Sequence, residues 1–200
     1  MKPTILIFLK APVAGQAKTR LAAGMGDMAA LEIYQQLVHR QMAVLPDDWS
    51  VEIHFSPPRE ERMMRAWLGE QDNWSFHPQI DEELGDRLAH AVTEAFKRGA
   101  RATLLLGGDC PELDEEALRQ AAQAMDSHDV VMGPTFDGGY YLLGIKRPLL
   151  GLFGHSEWGT DRVADRTRAI LRENRWSCTE LPRLRDVDTV EDWRASQKGE

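Results

Sequence analysis

Short apolar runs alternate with amphipathic segments along the chain, and no other feature of the sequence constrains the fold as strongly. "TILIFL" is an apolar strand, and "DMAALEIYQQLVHRQMAVLP" has helical periodicity, with Asp27 as its N-cap and Pro46 as its stop. "SVEIHF" alternates as a strand, and "PPREERMMRAWLGE" follows as a helix that opens on proline. "WSFHP" is a weak strand before a helix over residues 84–98, which Gly99 closes. "ATLLLGGD" is a buried strand, and "DEEALRQAAQAM" is a helix whose acidic first turn suits the helix dipole. "DVVMGP" and "GYYLLGIK" are strands, "DRVADRTRAILREN" a helix and "WSCTELP" an edge strand. "TVEDW" is a last short helix opened by a Thr-x-x-Asp capping box. The alternation predicts an α/β fold, a mostly parallel sheet with helices on both faces, in one domain over residues 1–200. Ligands of such sheets sit at the carboxyl ends of the strands, so those ends are where functional residues are expected.

Composition narrows the function classes. A chain of 200 residues, 42% hydrophobic, can bury about 70% of its unfolded surface in one core. "ILIFL" is too short to cross a bilayer or to act as a signal segment, so no membrane association is expected. Cys110 and Cys178 are the only cysteines, which implies no disulfide framework and a reducing, cytoplasmic setting. The net charge of −8 argues against nucleic-acid binding. Against that acidic background, the first 26 residues hold Lys2, Lys10, Lys18 and Arg20 and no acid. A local positive island on an acidic protein suits a small anionic ligand.

That island is "FLKAPVAGQAKTRLA", where a strand runs into a turn and then into Lys18, Thr19 and Arg20. The order invites comparison with a P-loop, but both glycines of that motif are missing, and Pro12 has no N–H to offer a phosphate. Two further strand ends are unusual. "GGDCP" turns sharply and projects Asp109, and "TFDGGYYLLG" places Asp137 before a Gly-Gly pair. Alone, each is also what an ordinary Gly/Asp turn looks like. A last acidic pair, Asp186 and Asp188 in "RDVDT", stands two residues apart, so an extended chain points both to one face. Carboxylates at several strand ends beside a basic loop are what a Mg²⁺ or Mn²⁺ ion bridging a diphosphate requires.

The stretches "KAPVAGQAKTRLA", "EELGDRL", "LLGGDCPEL", "GPTFDGGYYLLG", "EWGTDRV" and "RDVDTVEDW" occur in the order of one family. The chain resembles transferases often encoded beside radical-SAM and selenium-related proteins, some of them arsenosugar-biosynthesis glycosyltransferases. These belong to the GT-A, nucleotide-diphospho-sugar transferase superfamily. The resemblance implies a metal-dependent glycosyltransferase that moves a sugar from a nucleotide-diphosphate donor to a small acceptor. It places Lys10, Gly15, Lys18 and Arg20 near the diphosphate, and Leu84, Gly85 and Arg87 of "LGDRL" beside the base or ribose. Asp109 matches the metal-binding aspartate and Asp188 the second metal position, with Asp186 its close competitor. Asp109 is thereby a catalytic candidate, as is Asp137. Asp137, Gly138, Gly139 and Trp158 would border the sugar or acceptor pocket. The basic loop also looks like that of phospholactate guanylyltransferases, so a nucleotidyltransferase acting on a phosphorylated acceptor is the alternative. A non-catalytic nucleotide-binding module is a third class. The chain lacks the Gly-rich N-terminal loop of many sugar nucleotidyltransferases and a plain D-x-D after the central strand.

Other conspicuous residues have plainer readings. Cys110 has no histidine near it in sequence and reads as a small buried side chain. The histidines lack metal-ligand spacing, and His155 reads as a solvated loop residue. Trp158 can stack on a ligand or pack against the fold. Arg162, Arg166, Arg168 and Arg172 interleave with acids and read as a solvated helix face.

Overall fold

In the computed structural model, which describes residues 2–197, strand β1 (Thr4–Lys10) lies at the centre. Both of its faces are apolar, so it needs cover on two sides. The chain continues through α1 (Thr19–Met25), α2 (Asp27–Ala43), β2 (Val51–Ser56), α3 (Glu61–Leu68) and β3 (Trp74–Pro78). It then forms α4 (Leu84–Lys97), β4 (Thr103–Leu106), α5 (Glu115–Ala124), β5 (Val130–Pro134) and β6 (Tyr140–Ile145). Helix α6 (Val163–Glu173), β7 (Cys178–Glu180) and α7 (Val190–Ser196) complete it. The seven strands form one sheet in the order β3-β2-β1-β4-β6-β5-β7. β6 is antiparallel to both neighbours, and all other pairings are parallel. The expected mostly parallel α/β sheet is therefore present.

Successive β1 side chains enter opposite cores. Ile5, Ile7 and Leu9 pack with Tyr34, Val38 and Met42 of α2, Met64 of α3 and Leu118 of α5. Leu6 packs on the other face with Leu88, Ala91, Val92 and Ala95 of α4 and with Ile170 and Leu171 of α6. β2 departs from a half-buried pattern, because it has a strand on each side and a helix layer over each face. Its polar residues Glu52 and His54 are buried. Arg98 reaches Glu52 at 2.7 Å and His54 Nε2 lies 3.1 Å from it, so the carboxylate is hydrogen-bonded rather than stranded.

Four local details differ from the sequence reading. Residues 19–22, read as part of the basic loop, begin helix α1, which Gly26 at φ 85° ends. Asp27 is the first residue of α2 and not its cap, and the proline-led segment makes a single 3₁₀ turn at Pro58–Glu60 before α3. Arg168 is no free surface group, since it bonds Glu180 of β7 at 2.7 Å and so ties α6 to the sheet edge.

The C-terminal segment returns across the carboxyl ends of β4 and β5. Leu181 N–H donates to Met132 O, Leu184 N–H to Pro134 O, and Val187 N–H to Asp109 O at 2.9 Å. Val187 is fully buried with Leu21, Ala30, Ile33 and Leu37, a small cluster that also receives Val190 and Trp193. With Val187 facing that cluster, the alternation of an extended chain turns Asp186 and Asp188 the other way. Val187→Ala is expected to cost roughly 2–3 kcal/mol, ~0.8 kcal/mol per lost methyl plus a cavity. Urea denaturation measures it, and a loss within ~0.5 kcal/mol, as for a surface position, would show that the segment is not anchored there.

Candidate functional site

β1 ends at Lys10, whose backbone N–H and C=O are both held by the Tyr34 hydroxyl of α2, at 2.9 and 2.8 Å. The chain then turns through Gly15 and reaches Lys18, which stands before α1 in a left-handed conformation, φ 50° and ψ 50°. A lysine gains nothing from that region, so the surrounding contacts must hold it there. They are ionic. Lys18 Nζ donates to Asp109 Oδ2 at 2.8 Å and to Asp188 Oδ1 at 2.6 Å, and its side chain is only 8% exposed. Arg20 Nη1 reaches Asp188 Oδ2 at 3.1 Å from a largely exposed position. Burial opposes the Lys18 charge, but Asp109 and Asp188 outweigh it and hold the ammonium above its ordinary pKa.

Asp109 follows a turn that Gly108 makes possible, since a Cβ there would lie 2.6 Å from Leu9 Cδ2. Asp137 is fixed by the Thr135 hydroxyl and by Gly139 N–H at 3.0 Å, both donating to Oδ1. Asp137, Asp186 and Asp188 each bring a carboxylate oxygen within 4.8 Å of the other two. Three hard oxygen donors so close together fit a Mg²⁺ or Mn²⁺ ion and would suit a soft metal poorly. Asp109 stands just outside this trio, linked to Asp188 through Lys18. Burial pushes the Asp186 carboxyl up to about 7, reinforced by Asp137 and Asp109 and only partly relieved by a backbone hydrogen bond.

Two adjoining cavities share Phe8, Arg20, Leu84, Asp109 and Asp188. The first, about 620 Å³, also holds Asp137, Asp161 and Asp186 over an apolar floor that includes Leu88, Leu105, Tyr140 and Trp158. The second, about 400 Å³, adds Lys10, Lys18, Arg87, Tyr34 and Gln79. Most of the predicted residues therefore converge. Lys10, Lys18, Arg20, Leu84 and Arg87 line the second cavity, and Asp109, Asp137, Gly139, Trp158 and Asp188 line the first.

The remaining predicted residues lie behind these walls. Gly15, at φ 77°, faces the Asp27 carboxylate. Gly85 is pressed between the Phe153 carbonyl and the Trp158 indole. At Gly138, φ 93°, a Cβ would collide with the Asp161 carbonyl. His155 differs from the solvated reading. It lies flat on Trp158 with ring centroids 4.5 Å apart, and its Nδ1 accepts from Glu157 N–H. Trp158 donates to Phe153 O, so one ring face and its N–H serve packing while the residue still borders the cavity. Cys110 is buried, and desolvation pushes its thiol up to about 12, as a structural cysteine requires.

Sequence reasoning missed Tyr34, Gln79 and Asp161. Tyr34 and Gln79 come from helix-face and post-strand positions that look ordinary. Asp161 lies in "EWGTDRV", where its position next to Thr160 was the available signal.

Among solved structures, the chain is similar to a Desulfovibrio desulfuricans G20 protein provisionally named a nucleotide-diphospho-sugar transferase. The identity is 32%, the TM-score 0.92, and the match covers 100% of this chain and 88% of that one. CMP:2-keto-3-deoxy-manno-octonic acid synthetase, complexed with CTP, matches at 16% identity and TM-score 0.62, covering 100% and 99% of the two chains. Rv0371c from Mycobacterium tuberculosis H37Rv, in complex with manganese, matches at 16% identity and TM-score 0.57 over 100% of both. At those lower identities the likeness shows the fold alone. No curated protein matches the sequence. Residues 40–160 match the family described as uncharacterized protein conserved in bacteria (DUF2064). No helix among the described residues is long and apolar enough to cross a membrane.

The Asp186 environment has a measurable consequence. A carboxyl that ionises less readily in the folded chain than at its ordinary 3.8 contributes stability in acid. That contribution is complete below 3.8 and is lost as pH rises through about 7. In chelator, Asp186→Asn is expected to raise stability at pH 8 by roughly 1–3 kcal/mol and to leave it little changed at pH 4. Melting curves across pH check this, and parallel pH profiles for the two proteins would contradict it.

Proposed function

The chain belongs to the DUF2064 family of bacterial proteins, and from that premise we propose that it is a metal-dependent glycosyltransferase using a nucleotide-diphosphate sugar. The observation that carries this reading is the division of charge between the two cavities. Lys10, Lys18, Arg20 and Arg87 border the smaller one, where a diphosphate meets charge-assisted donors. The larger one has Arg20 alone against Asp109, Asp137, Asp161, Asp186 and Asp188. Sugar and acceptor hydroxyls donate to carboxylates, whereas a phosphorylated acceptor would be repelled there. Its apolar floor suits the C–H face of a sugar.

In this reading Asp137, Asp186 and Asp188 hold a Mg²⁺ or Mn²⁺ ion, which when bound neutralises the departing diphosphate. Lys18 and Arg20 bind the outer phosphate oxygens, and Asp109 keeps the Lys18 ammonium aimed at them. The bond from the sugar's anomeric carbon to the diphosphate oxygen breaks, and a bond from that carbon to the acceptor oxygen forms. Asp161 lines the same cavity outside the trio and takes the proton that the acceptor hydroxyl loses. The affinity for radical-SAM-associated and arsenosugar-forming relatives belongs to this proposal as well. Nucleotidyl transfer is the second reading, and the fold shared with the CTP-bound synthetase supports it.

Products separate the two. Incubated with Mn²⁺ and a panel of nucleotide sugars, the protein is expected to release free nucleoside diphosphate. Pyrophosphate released from a nucleoside triphosphate and a sugar phosphate would favour the second reading instead. Asp161→Asn is expected to lower turnover by about 10²-fold or more with nucleotide affinity unchanged, and full turnover in this variant would remove Asp161 from the mechanism.

A further inference from the structure

Lys18 is more deeply placed than a phosphate-binding lysine at the mouth of a site needs to be. Its ammonium lies within hydrogen-bond distance of one oxygen each from Asp109 and Asp188, so it sits where a cation shared by those carboxylates would sit. The side chain is 8% exposed, while Asp109 and Asp188 are 35% and 33% exposed, so the ammonium lies beneath them and they remain open above. The residue is carried there by a left-handed backbone that a lysine adopts only when held.

We infer that Lys18 is an internal counter-ion that competes with the divalent metal for Asp188 until a nucleotide diphosphate draws the ammonium away. The inference rests on the reading of Asp188 as a metal ligand. Asp188 Oδ1 accepts from Lys18 and Oδ2 from Arg20, so while both cations stay in place the Asp188 charge is largely offset and the trio of Asp137, Asp186 and Asp188 attracts a metal less strongly. A diphosphate supplies an alternative partner for both cations at once. Its oxygens accept from Lys18 and Arg20, the Asp188 carboxylate is released, and the trio regains its full negative charge. Metal and nucleotide then bind as a coupled pair, each raising the affinity of the other by the same factor. A metal without nucleotide is held weakly, which keeps the diphosphate-activating centre from forming before its substrate arrives.

Direct Mn²⁺ binding, read by the electron paramagnetic resonance signal of the free ion, tests this without any turnover. The wild-type protein is expected to bind Mn²⁺ weakly alone and more tightly in the presence of uridine or guanosine diphosphate, measured against a protein-free control for the Mn²⁺ that the nucleotide itself takes up. Lys18→Met is expected to bind Mn²⁺ alone about tenfold more tightly than wild type, because ligand charge sets the affinity of such sites. The further gain on adding nucleoside diphosphate is expected to shrink in that variant. Lys18→Gln, which keeps a neutral donor for one aspartate, makes the same comparison if Lys18→Met does not fold. In Lys18→Met/Asp188→Asn the gain is expected to vanish. Equal or weaker Mn²⁺ binding by the folded Lys18 variants would overturn the inference. A tighter Mn²⁺ site in Lys18→Met with no nucleotide effect in either protein would uphold the counter-ion and count against the nucleotide reading.

Discussion

The buried ammonium of Lys18 is the contact on which the rest of the site depends. It joins side chains 91 and 170 positions away in the sequence, and so draws the exits of β1 and β4 and the C-terminal segment to one point. Removing one partner of a buried charge pair typically costs ~3–5 kcal/mol, because the other charge is left without compensation. Here the aspartates are about a third exposed, so water softens that cost. The interaction therefore suits a switch better than a fixed strut. It is strong enough to define the resting geometry and open enough to be exchanged for a better anion.

The sheet order explains why the acids gather on one side of that lysine. Antiparallel β6 lies between β4 and β5, so the loops leaving β4 and β5 open onto the same end of the sheet. The C-terminal segment then crosses both exits, bonded to Met132, Pro134 and Asp109 in turn. Val187 anchors it and the flanking aspartates face the cavity, which adds two carboxylates to a region that already has Asp109 and Asp137. So many acids at one point are costly unless a cation is present, and the Asp186 carboxyl, raised first by burial and further by Asp137 and Asp109, reflects part of that cost. The net charge of −8 does not report this chemistry, because it averages the acidic cavity with a basic one beside it.

Much of the architecture was legible in the chain because apolar runs and caps are local signals. The capping box at Thr189 is present with both of its hydrogen bonds, and Asp114 caps α5 by accepting from Ala117 N–H. The strand-end rule located Asp109 and Asp137, and the i, i+2 spacing put Asp186 and Asp188 on one face. What failed depended on tertiary context. α1 was hidden because its first turn carries the charges of the basic loop, and it is held by packing of Leu21 rather than by a cap. The pairing of Lys18 with two aspartates so distant in sequence has no local signature at all. Nor does the role of Tyr34, whose hydroxyl works from a helix that reads as ordinary core. Gly85 and Gly138, singled out in the sequence, each have a close backbone or side-chain neighbour, which no local pattern announces.

A divalent cation held by Asp137, Asp186 and Asp188 would sit at the junction of a basic and an acidic cavity. Backbone amide NMR with substoichiometric Mn²⁺ and a nucleoside diphosphate tests it most directly, because a paramagnetic ion broadens only the signals near it. Broadening is expected to centre on residues 107–109, 135–139 and 186–188. Broadening centred elsewhere, as around Glu52 and Asp72 at the opposite end of the sheet, with those segments left sharp, would contradict it.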